Sequence, residues 1–154
     1  MKKSILAACI LLISVSVAGA FEVDGVKSGM SIDQAKAVLE KYWPGSIDDR
    51  GGRIVAYSDR VLDPLLVLNF KKGKLYKYQK RSFPNFRYFS QLVEDKRREF
   101  GKPIDALFEP ANAASAHEIN CLQFHWKNGK CTCTVSYSQN DPNSWMTMTY
   151  EEKI

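Results

Sequence analysis

The first 20 residues carry the pattern of an export signal, and this pattern decides which part of the chain folds. Lys2 and Lys3 precede an uncharged apolar segment, which ends at the small residues Ala18-Gly19-Ala20. The apolar segment is shorter than the ~20 residues that a membrane-spanning helix requires, which argues against a retained anchor. We therefore predict cleavage after Ala20, a periplasmic or secreted location, and a folded chain of residues 21–154.

The folded chain has the size of one ordinary domain. The whole chain of 154 residues contains 45% hydrophobic and 25% charged residues. These values are typical of globular proteins and exclude a disordered or collagen-like chain. The length leaves little room for a separate cofactor domain, so we expect a single compact domain without a cofactor.

Two segments carry the signals of helices. Ser31 and Gln34 are spaced as a capping box, and apolar residues then recur at helical spacing as far as Tyr42. A second helix is predicted from about Phe86 to Phe100, because Gly101 suits the left-handed position that ends a helix. The remaining segments alternate between apolar and polar residues, as strands do.

The first predicted hairpin spans residues 65–80. A three-residue turn with Gly73 in a bulge would place Leu68 opposite Tyr76 and would gather the apolar side chains on one face. A two-residue turn at Lys72-Gly73 would instead place Leu68 opposite a lysine. We therefore predict the three-residue turn.

Three cysteines lie in the folded chain, where an oxidising compartment permits a disulfide. A two-residue turn at Asn128-Gly129 would place Cys131 opposite Trp126, with Cys121 on the other face of the sheet. No pair can be bridged in that register, which favours three reduced, half-buried thiols. A bulge near Cys121 would instead permit a disulfide to Cys133 or Cys131, and both alternatives stay open.

Together these elements predict an α+β fold, with two helices packed on an antiparallel β-sheet. Residues 21–81 and 82–154 show the same order of elements, a helix followed by antiparallel strands with a glycine-centred hairpin. This order favours two helix-plus-β-meander units and suggests a weak internal duplication.

The first helix start resembles the SmpA/OmlA (BamE-like) family of small envelope proteins, with which it shares an export signal and a later Lys-Gly-Lys hairpin. The residues that carry the resemblance are Gly29-Met30-Ser31-Ile32-Asp33-Gln34-Ala35-Lys36-Ala37-Val38-Leu39. Secreted β-lactamase inhibitor proteins look similar, as tandem units that begin with the same helix start. The similarity covers about residues 25–80.

In the BamE-like family a helical pair packs on a three-stranded antiparallel sheet. The resemblance therefore implies an envelope binding or scaffolding module rather than a catalyst. Two positions depart from the family pattern. Phe21 stands where the family carries a lipid-anchoring cysteine, and Trp43-Pro44-Gly45 replaces the usual Gly-x-Pro. Lipid anchoring and a specific assembly role are therefore not part of the prediction.

The sequence contains none of the nucleophile, zinc-binding or phosphate-loop motifs of common enzymes. His117 and Glu118 lie in a predicted loop. His125 lies on the strand face opposite Trp126, whereas the two cysteines of the next strand share the face of Trp126. We therefore predict neither a metal site nor an enzyme.

Charge is concentrated in one segment. Residues 71–102 contain 11 basic and only 3 acidic residues, interleaved with aromatic side chains. The predicted binding residues are Lys71, Lys72, Lys74, Lys77, Lys80, Arg81, Arg87, Arg97 and Arg98. Export argues against a nucleic acid, so the expected partner is an acidic envelope protein or an anionic membrane surface.

Three functions are compatible with these patterns. The first is a non-enzymatic envelope binding module that uses this basic, aromatic-rich face. The alternatives are a secreted protein inhibitor of an enzyme and a small enzyme of unrecognised type. A solvated surface with no partner is the competing interpretation of the charge. The sequence leaves the oligomeric state open.

Overall fold

The computed structural model describes residues 21–43, 45–57, 64–83, 85–109, 120–139 and 145–154. The predicted signal, the His117–Glu118 pair and most of the loop at residues 139–143 lie outside the described residues. Within them the chain forms two α-helices and ten β-strands. None of the helices described is long and apolar enough to cross a membrane.

The elements follow a simple order: a pair of short strands, then a helix and four strands, then a second helix and four more strands. In chain order they are β1 (Glu22–Val23), β2 (Val26–Lys27), α1 (Ile32–Tyr42), β3 (Ile47–Asp49), β4 (Arg53–Tyr57), β5 (Pro64–Lys71), β6 (Lys74–Ser82), α2 (Phe86–Phe100), β7 (Asp105–Glu109), β8 (Asn120–Asn128), β9 (Cys131–Gln139) and β10 (Trp145–Glu152).

Eight of the strands form one antiparallel sheet in the order β3-β4-β5-β6-β10-β9-β8-β7. Each half of the chain contributes four consecutive strands, and the last strands of the halves, β6 and β10, pair with each other. The predicted α+β class is confirmed. The predicted arrangement of two helices packed on a sheet understates the strands, because one continuous eight-stranded sheet makes up most of the described fold.

Both helices begin and end where the local signals predict. The hydroxyl of Ser31 accepts from the backbone N–H of Gln34 at 3.2 Å, and the Gln34 side chain accepts from the Ser31 N–H at 3.0 Å. At the start of α2, the Asn85 side chain accepts from the Tyr88 N–H at 3.1 Å. Gly101 caps the end of α2 with a φ of 82°.

The helices and the β1–β2 hairpin pack on the same face of the sheet. Leu39 of α1, Phe89 of α2 and Val26 of β2 belong to one hydrophobic cluster with Tyr78 and Trp126 of the sheet. Strand residues alternate between faces, so the other face carries a different set of side chains. No helix of the described residues covers that face, which we call the helix-free face.

The first hairpin of the sheet differs from its prediction. A two-residue turn at Lys72-Gly73 joins β5 and β6, with φ angles of 53° and 73°, as in a type I′ turn. The register then shifts at Asn69/Phe70, so that Leu68 lies opposite Tyr78 rather than Tyr76. A bulge away from the turn aligns the apolar side chains, and the predicted three-residue turn is wrong.

The second hairpin also turns one residue later than predicted. Asn128 pairs with Cys131, so the turn residues are Gly129-Lys130, and Gly129 has a φ of 58°. Gly129 therefore takes the first central position, as in a type II′ turn. In the observed register Cys133, and not Cys131, lies opposite Trp126.

All three cysteines of the described residues are free and buried. Cys121 pairs with Ser138 across the helix-free face, whereas Cys131 and Cys133 belong to the core on the other face. A disulfide cannot bridge two faces of a sheet. Burial raises the pKa of the Cys131 thiol to about 11 and that of Cys133 to about 12, which disfavours thiolate chemistry.

Candidate binding sites

The structure separates the nine basic residues of the predicted binding face. Lys71, Lys72 and Lys74 lie exposed at the tip of the β5–β6 hairpin. On strand β6, Lys77 and Arg81 belong to the helix-free face. The remaining four residues lie elsewhere, as Lys80 is on the helix-covered face and the three arginines are on α2.

Several of these charges are matched by a neighbouring carboxylate. Within the described residues, nitrogen–oxygen distances of 2.7 Å join Lys77 to Glu151 and Lys80 to Asp24. The α2 residues Arg97 and Arg98 pair with Glu94 and Asp95 one helical turn away. The nine residues therefore do not form one continuous basic surface.

The aromatic residues of the same segment divide into two groups. Tyr78 and Phe89 are buried in the core. Phe83, Phe86 and Tyr88 are 70%, 60% and 53% exposed, although large aromatic side chains usually contribute to the core. These three residues and Arg87 surround the start of α2, and we call them the aromatic patch.

Packing partly fixes the aromatic patch in place. The Phe86 ring lies 5.8 Å from that of Tyr137 in an edge-to-face arrangement, and 6.1 Å from that of Phe89. On the helix-free face, two residues before Phe83, the Arg81 guanidinium lies 4.8 Å from the Trp145 ring centroid. An exposed aromatic surface and an arginine–tryptophan stack thus lie at the same end of β6.

The helix-free face carries polar side chains at the centre of the sheet. Thr147 and Ser138 are buried there, whereas Arg81 and Trp145 are only half-buried. His125 lies on this face, as predicted, with its Nδ1 atom 3.0 Å from the Thr134 hydroxyl. No three His, Cys, Asp or Glu side chains of the described residues are placed to hold a metal ion.

A cavity of about 520 Å³ lies between α1 and the sheet. Its lining residues come from the β1–β2 turn, α1, β5 and β6, and they are Asp24, Gly25, Val38, Leu39, Tyr42, Trp43, Leu66 and Lys80. Trp43 closes one side, because its indole N–H donates to the Tyr57 carbonyl at 3.2 Å.

Asp24 is a residue of this cavity that the sequence interpretation missed. Asp24-Gly25 forms the two-residue turn between β1 and β2, with left-handed φ angles of 51° and 78°. An Asp-Gly pair between short apolar segments is a hairpin signal that could have revealed this turn. The contact of Asp24 with Lys80, 56 residues later, has no comparable signal.

The charge of Asp24 is stabilised by two donors. The Lys80 ammonium and the Tyr78 hydroxyl both donate to Asp24 Oδ2, each at 2.7 Å. Partial burial raises the pKa of Asp24, but the hydrogen bonds from Lys80 and Tyr78 outweigh it and hold the pKa below its usual range. Asp24 is therefore ionised and holds the Lys80 ammonium at the cavity wall.

Comparisons with known proteins do not assign these sites: no family model, curated protein or solved structure matches this chain. The similarity to BamE-like envelope proteins therefore stays a prediction from the helix start.

Proposed function

We propose that this protein is an exported, non-enzymatic binding module of the cell envelope, which docks a protein partner through the aromatic patch. The observation that carries this proposal is the exposure of Phe83, Phe86 and Tyr88 within six residues of chain. Large aromatic side chains left exposed this close together along the chain are candidates for an interaction site on a soluble protein.

The residue types of this surface also support protein binding. Tyrosine, tryptophan and arginine are enriched among the residues that dominate the binding energy of interfaces. The patch contains Tyr88 and Arg87, and the Arg81–Trp145 stack lies at the same end of β6. Their side chains stand on a paired strand and a capped helix, so little backbone ordering accompanies binding.

Charge indicates the kind of partner. Arg81 and Arg87 belong to no ion pair within the described residues. Arg87 adds a positive charge to the aromatic patch itself, and Arg81 adds one beside Trp145 on the helix-free face. A complementary partner surface would carry carboxylates around an apolar centre. Partner binding of this kind also covers the inhibition of an enzyme, if the captured protein is one.

The test is photo-crosslinking in envelope extracts with the mature chain, residues 21–154, carrying the crosslinker at Arg87. The variant Phe83→Ser/Tyr88→Ser removes two exposed aromatic side chains that contribute little to the core. If each aromatic contributes as interface anchors do, the yield of one crosslinked protein falls about a hundredfold.

The matched control is Ile104→Ser, because Ile104 is 66% exposed and follows the C-terminal end of α2, whereas the patch surrounds its start. The crosslinked yield should stay at its wild-type level in this control. Equal losses in both variants, or no crosslinked protein at all, would overturn the proposal.

An anionic membrane surface is the second candidate, because exposed aromatic and basic side chains also suit the lipid interface. Cosedimentation with phosphatidylglycerol vesicles, against phosphatidylcholine vesicles, tests it directly. Binding to the anionic vesicles that depends on Phe83 and Tyr88, without a crosslinked protein, would assign the patch to the membrane instead.

Export and internal duplication are two further parts of the proposal. Phe21, the first residue after the predicted cleavage site, packs on Tyr150 with ring centroids 5.8 Å apart, so the core includes it. The matching order of one helix and four consecutive strands in each half supports the two-unit interpretation. Intact mass of the exported protein tests cleavage after Ala20.

A further inference from the structure

The cavity beside α1 has the size and the walls of a ligand site. Its volume of about 520 Å³ lies within the range of roughly 300–1,000 Å³ that small-molecule sites occupy. Val38 and Leu39 line the helix side, and Leu66 lines the sheet side. These aliphatic side chains suit a compact apolar group.

Two aromatic side chains complete the apolar part of the wall. Trp43 is fixed by its hydrogen bond to the Tyr57 carbonyl. Tyr42 is 66% exposed, and the Lys41 ammonium lies 4.9 Å from the centroid of its ring. This stacking favours one position of the Tyr42 ring and adds a positive charge close to the cavity.

The polar part of the wall is the ion pair between Lys80 and Asp24. An ammonium group has three N–H donors, and the contact with Asp24 Oδ2 uses one of them. The same carboxylate oxygen also accepts from Tyr78. The Lys80 side chain is 35% exposed, so its other donors can reach a ligand in the cavity.

We propose that this cavity binds an anionic amphiphile, a ligand with a compact aromatic or aliphatic body and one carboxylate or sulfonate group. The body fills the space between Val38, Leu66 and Trp43, and the anionic group accepts hydrogen bonds from Lys80. Asp24 holds the Lys80 ammonium at the wall, and its own negative charge opposes the anionic group of the ligand. None of the residues that line the cavity belongs to the aromatic patch.

A matched pair of fluorescent probes tests the proposal on the mature chain. The first is 1-anilinonaphthalene-8-sulfonate, and the second is N-phenyl-1-naphthylamine, which has the same ring system without the sulfonate. The variant Lys80→Gln should weaken binding of the sulfonate probe by about tenfold and leave the affinity for the neutral probe unchanged.

The variant Asp24→Asn should act in the opposite direction. Asparagine tolerates the left-handed backbone of this turn, and its side chain keeps the shape but removes the negative charge. Binding of the sulfonate probe should become severalfold tighter because the repulsion from the carboxylate is lost. The affinity for the neutral probe should again stay the same.

Tyr42→Ser tests the apolar wall with little cost to folding, since Tyr42 is largely exposed. Both probes should bind several times more weakly. Phe83→Ser is the control for probe adsorption on the aromatic patch, and it should leave both affinities unchanged. Thermal unfolding of each variant confirms that the domain is intact.

Two results would overturn the proposal. One is a ratio of the two probe affinities that stays constant in Lys80→Gln and Asp24→Asn. The other is a loss of binding in Phe83→Ser as large as that in Tyr42→Ser. Because none of the substituted cavity residues belongs to the aromatic patch, these outcomes are distinguishable from a failure to capture a protein partner.

Discussion

The two halves of the sheet share one topology but hold their helices in different ways. In the second half, Phe89 of α2 packs its ring against Tyr137 and Phe124, with centroid distances of 5.4 and 6.1 Å. In the first half, the buried residues of α1 are Ala35 and Leu39. Because these side chains are smaller than an aromatic ring, a cavity stays open beside α1. The corresponding space under α2 is filled by aromatic rings.

A tryptophan hydrogen bond joins the C-terminal end of each helix to the sheet. The donor follows the helix in the first half, whereas it lies on the sheet in the second half. Trp43 follows α1 and donates to the Tyr57 carbonyl of β4 at 3.2 Å. Trp126 lies on β8 and donates to the carbonyl of Gly101, the cap of α2, at 3.1 Å. The Trp126 side chain is buried, whereas that of Trp43 is half-buried, so similar topology does not imply similar closure.

The largest expected effect is the loss of the aromatic contact in the second half. Phe89→Ala should lower the free energy of unfolding by about 4 kcal/mol, because it leaves a closed cavity. Leu39→Ala should cost about 2 kcal/mol, since Leu39 already borders open space. Urea denaturation of both variants measures the difference, and equal costs would refute the contrast in packing.

Substitutions of the two tryptophans should differ in the same direction. Trp126→Phe should cost about 2 kcal/mol, because it leaves a void at a buried ring and removes the hydrogen bond to the Gly101 carbonyl. Trp43→Phe should cost about 1 kcal/mol, because the Trp43 ring is only half-buried and its loss leaves a smaller void. A larger loss for Trp43→Phe in the same denaturation experiment would show that the first half is the more tightly closed one.

The helix caps should show no such difference. Ser31→Ala and Asn85→Ala each remove one cap acceptor, and each should cost about 1 kcal/mol. Ser90→Ala, at an exposed position inside α2, is the control and should be neutral or slightly stabilising. Unequal costs at the two caps would mean that helix formation, and not packing alone, distinguishes the halves.

The smallest effect expected is a difference in acid sensitivity. The Lys36 ammonium and the Gly51 N–H lower the pKa of Asp49, and Lys80 and Tyr78 lower that of Asp24. A carboxyl with a depressed folded-state pKa stabilises the fold above its unfolded value of about 3.9. That contribution is lost as the pH falls through the folded-state pKa.

Among the described groups, both depressed carboxyl pKa values belong to the first half. Hydrogen exchange at pH 5 and at pH 3 should therefore show protection lost in α1 before α2. In Asp24→Asn the protection of α1 should depend less on pH. Loss of protection in α2 first would contradict this assignment.

The positions of the helices could be predicted from sequence because their signals are local. Ser31 and Gln34 satisfy backbone groups within one turn, and Gly101 adopts a backbone conformation that few other residues tolerate. The hairpin registers could not be predicted in the same way. In the first hairpin, a two-residue turn at Lys72-Gly73 without a bulge is incompatible with apolar side chains on one face. The bulge at Asn69/Phe70 permits both the short turn and that alignment.

The predicted binding surface shows how a linear pattern can mislead. Residues 71–102 are strongly basic along the chain, but strand alternation sends Lys80 and Arg81 to opposite faces of the sheet. The alternation was visible in the sequence. The exposure of the aromatic patch was not visible in the sequence. Phe86 and Phe89 are the same residue type on the same helix, and yet Phe86 is exposed and Phe89 is buried.

The sequence by itself determined the α+β class and the two helices. Each of these depends on residues that are neighbours along the chain. Only the tertiary structure decided that eight strands form one sheet, that Asp24 meets Lys80, and that α1 leaves a cavity. Those features depend on distances between segments far apart in sequence, which side-chain volume and register set jointly.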